Sequence, residues 1–227
     1  MLHQVGSLEA AVRAQQAGVD VIVAQRVEAG GHVAGQVSTM VLLPRIVDSV
    51  APALVLAAGG IADARGLAAA LCLGADGVVM GTRFLATPEA NAHPIYKARV
   101  VAASEQDTVR TILFGHGWPH APHRTLRTPF VSEWLDRESE TQDSRPDEPI
   151  VGRSVIAGTE MPIQRFVSMP PNVHAIGNVE SMALLAGQSV GLVDAIRPAA
   201  DILRETVDGA ERLICELSAK VDHNSRT

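Results

Sequence analysis

The sequence has few aromatic residues, no long apolar run and no excess of positive charge. Phe, Trp and Tyr make up 3% of the 227 residues, so Ala, Val, Leu and Ile must carry the core, as in parallel α/β proteins. The net charge of −6 argues against nucleic acid or an acidic membrane as a general partner. No stretch reaches the ~18 uninterrupted apolar residues that a membrane span needs. We therefore predict no nucleic-acid partner and no membrane partner.

Cysteine is also scarce. Cys72 and Cys215 lie far apart without CxxC spacing, which argues against a disulfide framework or a zinc site. The first residues show no basic segment followed by a long apolar one, so no targeting signal is indicated. We predict a cytoplasmic protein. Cys72 falls in an Ala- and Leu-rich helical stretch, where we expect a buried, inert thiol.

The first hundred residues alternate between strand-like and helix-like segments. The apolar runs are continuous rather than alternating, which predicts strands that are buried on both faces: Leu2–Val5, Val19–Gln25, Leu54–Ala58 and Gly77–Met80. Capping residues and helical periodicity predict helices after Ser7, over Thr39–Val50, over Ala64–Leu73 and from about Glu89 to Ser104. This order predicts parallel strands joined by right-handed crossovers, with roughly the unit length of a (β/α)₈ barrel.

The remaining residues show a different pattern. We predict a strand over Thr108–Gly115, loops over Gly117–Phe130 and Ser139–Pro149, helices over Val179–Gly187 and Asp194–Leu217, and a frayed tail from Asp222. The predicted domain organisation is therefore a partial (β/α) barrel over residues 1–105 and an extension of loops and C-terminal helices over residues 106–227.

Two glycine-containing loops follow neighbouring predicted strands. Gly59-Gly60 and Gly81-Thr82 offer bare backbone N–H groups and a hydroxyl, which is the chemistry of phosphate binding. The phosphate site of a barrel is commonly built from the loops after its last two strands. The helix that begins after Asp63 could add its positive end. Either loop alone could be an ordinary tight turn, but the two in series, about 20 residues apart, predict a phosphate-bearing cofactor.

Histidines supply the candidate catalytic and metal-binding groups. His32, in Glu28-Ala29-Gly30-Gly31-His32, follows a predicted strand and could act as a base near neutral pH; a packed loop histidine is the alternative. His116, His120 and His123 have suggestive spacing, but the intervening prolines disfavour a rigid ligand face. We predict no metal and a structural loop near the mouth of the site. Gln188 could touch a ligand or cap a helix.

At these residues the chain resembles the nitronate monooxygenase family, formerly called 2-nitropropane dioxygenases. The resemblance is dense in four blocks: Val23–Gln25, Glu28–His32, Ala57–Asp63 and Val79–Phe84. It continues more loosely through Gly117-Trp118-Pro119, Pro122–Leu126 and Ala186–Ser189.

The resemblance implies a TIM barrel that binds FMN and oxidises alkyl nitronates or nitroalkanes with O₂. By this resemblance His32 is the catalytic base or handles the substrate proton. The implied cofactor-binding residues are Gln4, Gln25, Gly30, Gly59, Gly60, Val79, Met80, Gly81 and Thr82. The flavin performs the redox step, while the protein positions the substrate.

A family member begins with about four more βα units than this chain. We therefore expect the C-terminal half of a TIM (β/α)₈ barrel, truncated at its N-terminus, with two open sheet edges. A second copy could complete the barrel, which makes a homo-oligomer one interpretation. The alternative enzyme is a flavin-dependent enoyl-ACP reductase, which resembles the chain in the same Gly-Gly-His and Gly-Thr-Arg-Phe blocks. A flavin-binding remnant without turnover is the alternative of another class.

Overall fold

The computed structural model describes residues 1–143 and 147–224. The strands are β1 Leu2–Val5, β2 Val21–Gln25, β3 Gly31–His32, β4 Leu54–Ala58, β5 Gly77–Val79, β6 Thr108–Thr111, β7 His123–Leu126, β8 Ile150–Ile156, β9 Thr159–Gln164 and β10 Ile176–Gly177. The helices are α1 Leu8–Gln16, α2 Thr39–Val50, α3 Ala64–Cys72, α4 Thr82–Leu85, α5 Pro94–Ala102, α6 Pro129–Trp134 and α7 Ala199–Asn224.

The main sheet has four parallel strands in the order β1-β2-β4-β5. The predicted α/β class is confirmed, and the four predicted strands lie within two residues of the observed ones. The side chains of α1 and α2 pack with one face of this sheet in a core of small aliphatic residues, among them Ile22, Leu43, Ile46, Val50 and Val55. Continuous apolar strands are the sequence signature of such a covered parallel sheet.

Local signals set the ends of the helices next to the sheet. The Ser7 hydroxyl accepts a hydrogen bond from the Ala10 N–H at 3.2 Å, and the Asp63 carboxylate accepts from the Arg65 and Gly66 N–H groups. Gly18 and Gly74 follow α1 and α3 with φ values of 79° and 90°, a conformation that glycine adopts without steric cost. These caps place the loops that enter and leave the sheet.

The expectation that Cys72 is buried was wrong, because its side chain is exposed.

Two small antiparallel sheets occupy the second half of the chain. One has the order β10-β8-β9, and the other, β3-β7-β6, joins the second half to the first. The prediction of a loop over Gly117–Phe130 was wrong at its end, since β7 and the start of α6 lie there. All four β7 residues are buried although three are polar, so hydrophobic periodicity could not reveal the strand.

Several predicted helix bounds also need correction. The segment Val179–Gly187 forms only a 3₁₀ turn at its start, Val179–Ser181. Helix α5 begins at Pro94 rather than Glu89, and α7 begins at Ala199, after Pro198. Proline is favoured in a first turn but cannot donate within a helix, which fixes both starts. Helix α7 continues through the predicted frayed tail to Asn224, while residues 225–227 and part of the Ser139–Pro149 loop, 144–146, lie outside the described residues.

The two predicted parts of the chain are connected by hydrogen bonds of the Arg124 side chain as well as by the antiparallel sheet β3-β7-β6. The Arg124 guanidinium, on β7, donates twice to the Val27 carbonyl, at 3.1 and 2.9 Å, and once to the Thr108 hydroxyl at 3.3 Å. The loop after β2 is therefore held by residues from beyond position 106.

Candidate functional site

The candidate site is a cavity of about 340 Å³ at the carboxyl ends of the parallel strands. This volume falls in the range of about 300–1,000 Å³ that is usual for small-molecule sites. All of the residues predicted to contact the cofactor line it except Met80: Gln4, Gln25, Gly30, Gly59, Gly60, Val79, Gly81 and Thr82. Met80 packs instead against the core beneath the helices. Alternation along the chain sends Val79 and Met80 to opposite sides.

The Gly59-Gly60 loop presents two backbone donors at the cavity. Both glycines have left-handed φ, 107° and 74°, and the structure gives neither N–H group an acceptor among the described residues. A Cβ at Gly59 would lie 2.9 Å from the Ala29 nitrogen, so packing as well as φ demands glycine there. The loop can therefore offer N–H groups to an anion while it rests against the loop after β2.

Gly81 and Thr82 form the opposite wall. Gly81 has an ordinary φ of −93°, and a Cβ built on it would meet no atom of the described residues within 4 Å. Neither backbone conformation nor protein packing explains this glycine, whereas a ligand at that wall would. The buried Thr82 hydroxyl accepts a hydrogen bond from the Gly187 N–H at 2.9 Å, which leaves its own proton for a ligand oxygen.

The helix α3 contributes less to this site than its position suggests. The Asp63 carboxylate takes the Arg65 and Gly66 N–H groups at 2.9 and 3.2 Å. It also places a negative charge at the positive end of the helix. The expectation that this helix end helps to bind phosphate is therefore not supported, and the donors must come from the two glycine loops.

Residues from the second half complete the cavity. Leu185 and Ser189 line it, and neither was singled out from the sequence. The chain around Gly187 runs so close to Gly30 that a Cβ on Gly30 would lie 2.4 Å from the Gly187 nitrogen. The Gln188 N–H donates to the Glu28 carbonyl at 2.9 Å. The residues Gly187-Gln188-Ser189 were a sequence signal for this site, but the contact of Gly187 with Gly30 could not be predicted from the sequence.

His32 stands beside this cavity rather than in its wall. Its neighbour Gly31 lines the cavity, and the side-chain amide of Gln25 donates to the His32 carbonyl at 2.9 Å. The imidazole stacks on Trp118, with centroids 4.3 Å apart, and its Nε2 lies 3.5 Å from the Ser168 hydroxyl. Burial lowers the pKa of His32 below its usual value, which favours the neutral ring at neutral pH. A neutral imidazole can accept a proton.

His123 is buried next to His32. Its ring meets that of His32 edge-on at 5.7 Å, its Nδ1 lies 3.1 Å from the Ala121 carbonyl, and its Nε2 accepts from the Phe114 N–H at 3.2 Å. These partners imply a proton on Nδ1. Burial is the main cause that lowers the pKa of His123 to about 4. Among the described residues, no three side chains are grouped to hold a metal ion, and His120 donates its backbone N–H to Gln142.

A buried arginine fixes the start of the loop that carries His32. Arg26 donates to the Thr39 hydroxyl at 3.0 Å and to the Ala24 carbonyl at 2.9 Å, and burial lowers its pKa to about 10. The Glu28 carboxylate accepts the Thr39 N–H at 2.9 Å and opposes that shift. Thr39 thus joins the loop to α2, a structural role that the sequence did not indicate.

Comparison with known proteins identifies the family. The family model described as nitronate monooxygenase matches residues 1–209. The chain belongs to the nitronate monooxygenase family. The predicted resemblance is thereby confirmed, and the family is one of oxidoreductases.

The relatives with similar sequences match different shares of this chain. The nitronate monooxygenase npaC of Metarhizium robertsii is 37% identical over 229 residues, covering 95% of this chain and 59% of its own length. A Mycobacterium tuberculosis protein named as a dehydrogenase of an octahydroindene carboxyl-CoA is 42% identical over 135 residues, covering 59% of this chain and 37% of its own length. The chain thus spans less than two thirds of either relative.

A solved structure supports the same fold. The structure of FabK from Thermotoga maritima superposes with a TM-score of 0.75 at 34% identity, covering 96% of this chain and 63% of that one.

The described residues contain no helix with the length and apolar composition that a membrane span requires.

Proposed function

We propose that this chain supplies an FMN site and a catalytic base for the oxidation of alkyl nitronates or nitroalkanes by O₂. The observation that carries the proposal is the convergence of the Gly59-Gly60 and Gly81-Thr82 loops on one cavity, with His32 beside it. We also propose that the four parallel strands correspond to half of a (β/α)₈ barrel, since the carboxyl ends of barrel strands carry the active site.

The residues present fit an FMN phosphate. Among the residues that the structure describes, the N–H groups of Gly59 and Gly60 have no acceptor and the space beside Gly81 is open, while the Thr82 hydroxyl has a proton to donate. One compact phosphate site favours FMN over a dinucleotide, and no GxGxxG unit accompanies it. When bound, FMN would supply the electron-accepting centre between the organic substrate and O₂.

His32 is proposed to take the substrate proton. Burial lowers the pKa of its imidazole, which favours the neutral ring, and its carbonyl accepts a hydrogen bond from Gln25, which lines the cavity. Removing the C–H proton of a neutral nitroalkane requires such a base, whereas a preformed nitronate has already lost that proton. The residue is therefore expected to matter more for the nitroalkane.

A second candidate is flavin-dependent reduction of an acyl thioester, as in an enoyl-ACP reductase. The Mycobacterium tuberculosis relative favours this candidate, because it is named as a dehydrogenase of a carboxyl-CoA, and a carboxyl-CoA is a thioester. Consumption of NADH with a crotonyl thioester, against O₂ uptake with a nitronate, separates the two candidates.

The cofactor is tested by purifying the chain, supplying FMN, removing free ligand and identifying the retained molecule by mass after heat release. FMN is the expected molecule. A folded chain that retains FAD, or no flavin, would contradict the proposal. Retained FMN without turnover on either substrate would support the alternative of a non-catalytic flavin protein.

The base is tested with His32→Asn, compared with His174→Asn at an exposed histidine remote in sequence from the cavity. We expect His32→Asn to keep the flavin and to lose about 10²–10⁴-fold in rate on the nitroalkane, since that is the usual contribution of a positioned base. The loss on the preformed nitronate should be smaller. Parent-like rates on both substrates would remove His32 from the mechanism.

A further inference from the structure

Trp118 has an unusual environment for a large aromatic residue. Its side chain is 59% exposed, yet one face of its indole stacks on the His32 imidazole, with centroids 4.3 Å apart and planes 28° apart. The indole is both stacked on the imidazole and largely exposed to solvent. Trp118 therefore stands between the imidazole and bulk water without being part of the core.

Hydrogen bonds hold the loop that carries Trp118. The Trp118 N–H donates to the Gly115 carbonyl at 3.0 Å, and the His120 N–H donates to the Gln142 side chain at 2.7 Å. Gly117 and His120 adopt left-handed φ values of 88° and 58°. A non-glycine residue in that region costs free energy, so the surrounding contacts must impose the loop's path. The indole is thus placed on His32 by a fixed loop.

The other groups around the imidazole are few. His123 meets its edge, and the Ser168 hydroxyl lies 3.5 Å from Nε2. The Glu138 carboxylate bonds to the Thr111 hydroxyl and to the Ile112 N–H, and its charge acts on His123. Burial is the cause of the lowered pKa of His32, and the charge of His32 in turn lowers the pKa of its neighbour His123. The extent to which the surrounding side chains bury this ring therefore controls how easily it is protonated.

A stacked indole can act on an imidazole in two opposite ways. Its π face attracts a cation, which would stabilise the protonated ring. Its bulk excludes water, which disfavours the protonated ring. The two effects predict opposite changes when the indole is removed.

We propose that Trp118 is a positioning residue that shields the His32 ring from water and thereby keeps it neutral and ready to accept a proton. The functional meaning of this assignment rests on the proposed role of His32 as the base. The shielding itself is a property of the chain without cofactor or substrate.

The test is an NMR pH titration of the histidine side chains in the parent chain, Trp118→Ala and Trp118→Phe. The His32 signal is assigned by its loss in His32→Gln. Trp134→Phe alters the second tryptophan, which packs on Phe130 and Phe166 instead, and serves as the matched control. His123, whose two ring nitrogens contact Ala121 and Phe114, reports whether the surrounding core stays intact.

We expect the pKa of His32 to rise toward 6.5 in Trp118→Ala, to rise less in Trp118→Phe and to stay at the parent value in Trp134→Phe. A fall in Trp118→Ala would show that the indole stabilises the cation, and an unchanged value would show that it does not cover the ring; either overturns the proposal. If Trp118→Ala fails to fold, the sign of the change in Trp118→Phe decides. Failure of flavin binding or turnover counts against the proposed function alone, because this titration needs neither.

Discussion

The glycines of the candidate site are not all required by the fold. Gly59 and Gly60 are fixed by left-handed φ and by contact with the loop after β2, so their replacement disturbs the fold as well as any ligand. Gly81 is free of both constraints. Gly81 is therefore the position at which ligand binding can be tested separately from folding.

We predict that Gly81→Val retains the fold but loses FMN. A Cβ at position 81 meets no atom of the described residues within 4 Å, and Gly81 lines the cavity in which we place the phosphate, so the added methyl groups compete with that ligand. Retained flavin is measured by absorbance after gel filtration, with Ala98→Val, at an exposed position of α5, as the control. Parent-like flavin content in Gly81→Val would mean that no phosphate lies there.

His123 predicts an acid-sensitive contribution to stability. Its pKa is about 4 in the folded chain against 6.5 ordinarily, so between these values the unfolded chain binds more protons. Stability is then highest above pH 6.5 and falls as the pH drops toward 4, by up to about 3 kcal/mol at about 1.4 kcal/mol per pKa unit. Protonation would also force a charge into the core.

Urea unfolding at pH 7 and pH 5 measures this effect. We expect the midpoint to fall on acidification in the parent and in His174→Gln, an exposed control, and to fall less in His123→Gln. Equal acid sensitivity in the parent and in His123→Gln would assign the effect to other groups.

At the scale of the elements, helix caps set where the loops of the site begin. Asp63 both caps α3 and pairs with Arg65, whose side chain is exposed. An exposed ion pair contributes little, while a lost N-cap costs typically about 1 kcal/mol. The cap rather than the charge should therefore stabilise α3.

We predict that Asp63→Ala lowers the free energy of unfolding by about 1 kcal/mol, while Asp63→Ser lowers it much less. Serine keeps an oxygen for the Arg65 and Gly66 N–H groups but removes the charge. Urea unfolding of both variants distinguishes the two roles. Equal losses in the two would indicate that the ion pair with Arg65 matters more than the cap.

For the whole molecule, the parallel sheet depends on residues that follow it in sequence. Strand β3 pairs with β7, Arg124 holds the Val27 carbonyl, and Gly187 bonds to Thr82. These contacts cross the predicted domain boundary at residue 105. They make the loops of the candidate site dependent on the second half.

We predict that residues 1–105 alone do not form the ordered site. Without β7 the strand Gly31–His32 loses its partner, and the cavity loses Leu185 and Ser189. Amide hydrogen exchange should show loss of protection at Val33 in the short chain relative to the full chain, because the Val33 N–H donates to the Pro122 carbonyl, which the short chain lacks. Full-length protection in residues 1–105 would support two independent domains.

Local sequence signals were sufficient to predict the parallel strands and the loops that follow them. Continuous apolar runs and capping residues act over a few neighbours, so they can be read without knowing the fold. The apolar runs also predicted that Gly59, Gly60, Gly81 and Thr82 follow strand ends, which a parallel sheet must bring to one edge, and the four residues line one cavity. These parts of the site needed no further information.

The surroundings of His32 could not be predicted, because they come from distant parts of the chain. Trp118 stacks on His32 and the buried His123 meets its edge, although these residues lie 86 and 91 positions from His32 in the sequence. The strand β7 escaped prediction because its polar side chains are buried only once β3 and β6 flank it. Pairing between strands that are distant in sequence produces no regular pattern of residue types, because the partner strand depends on how the whole chain folds.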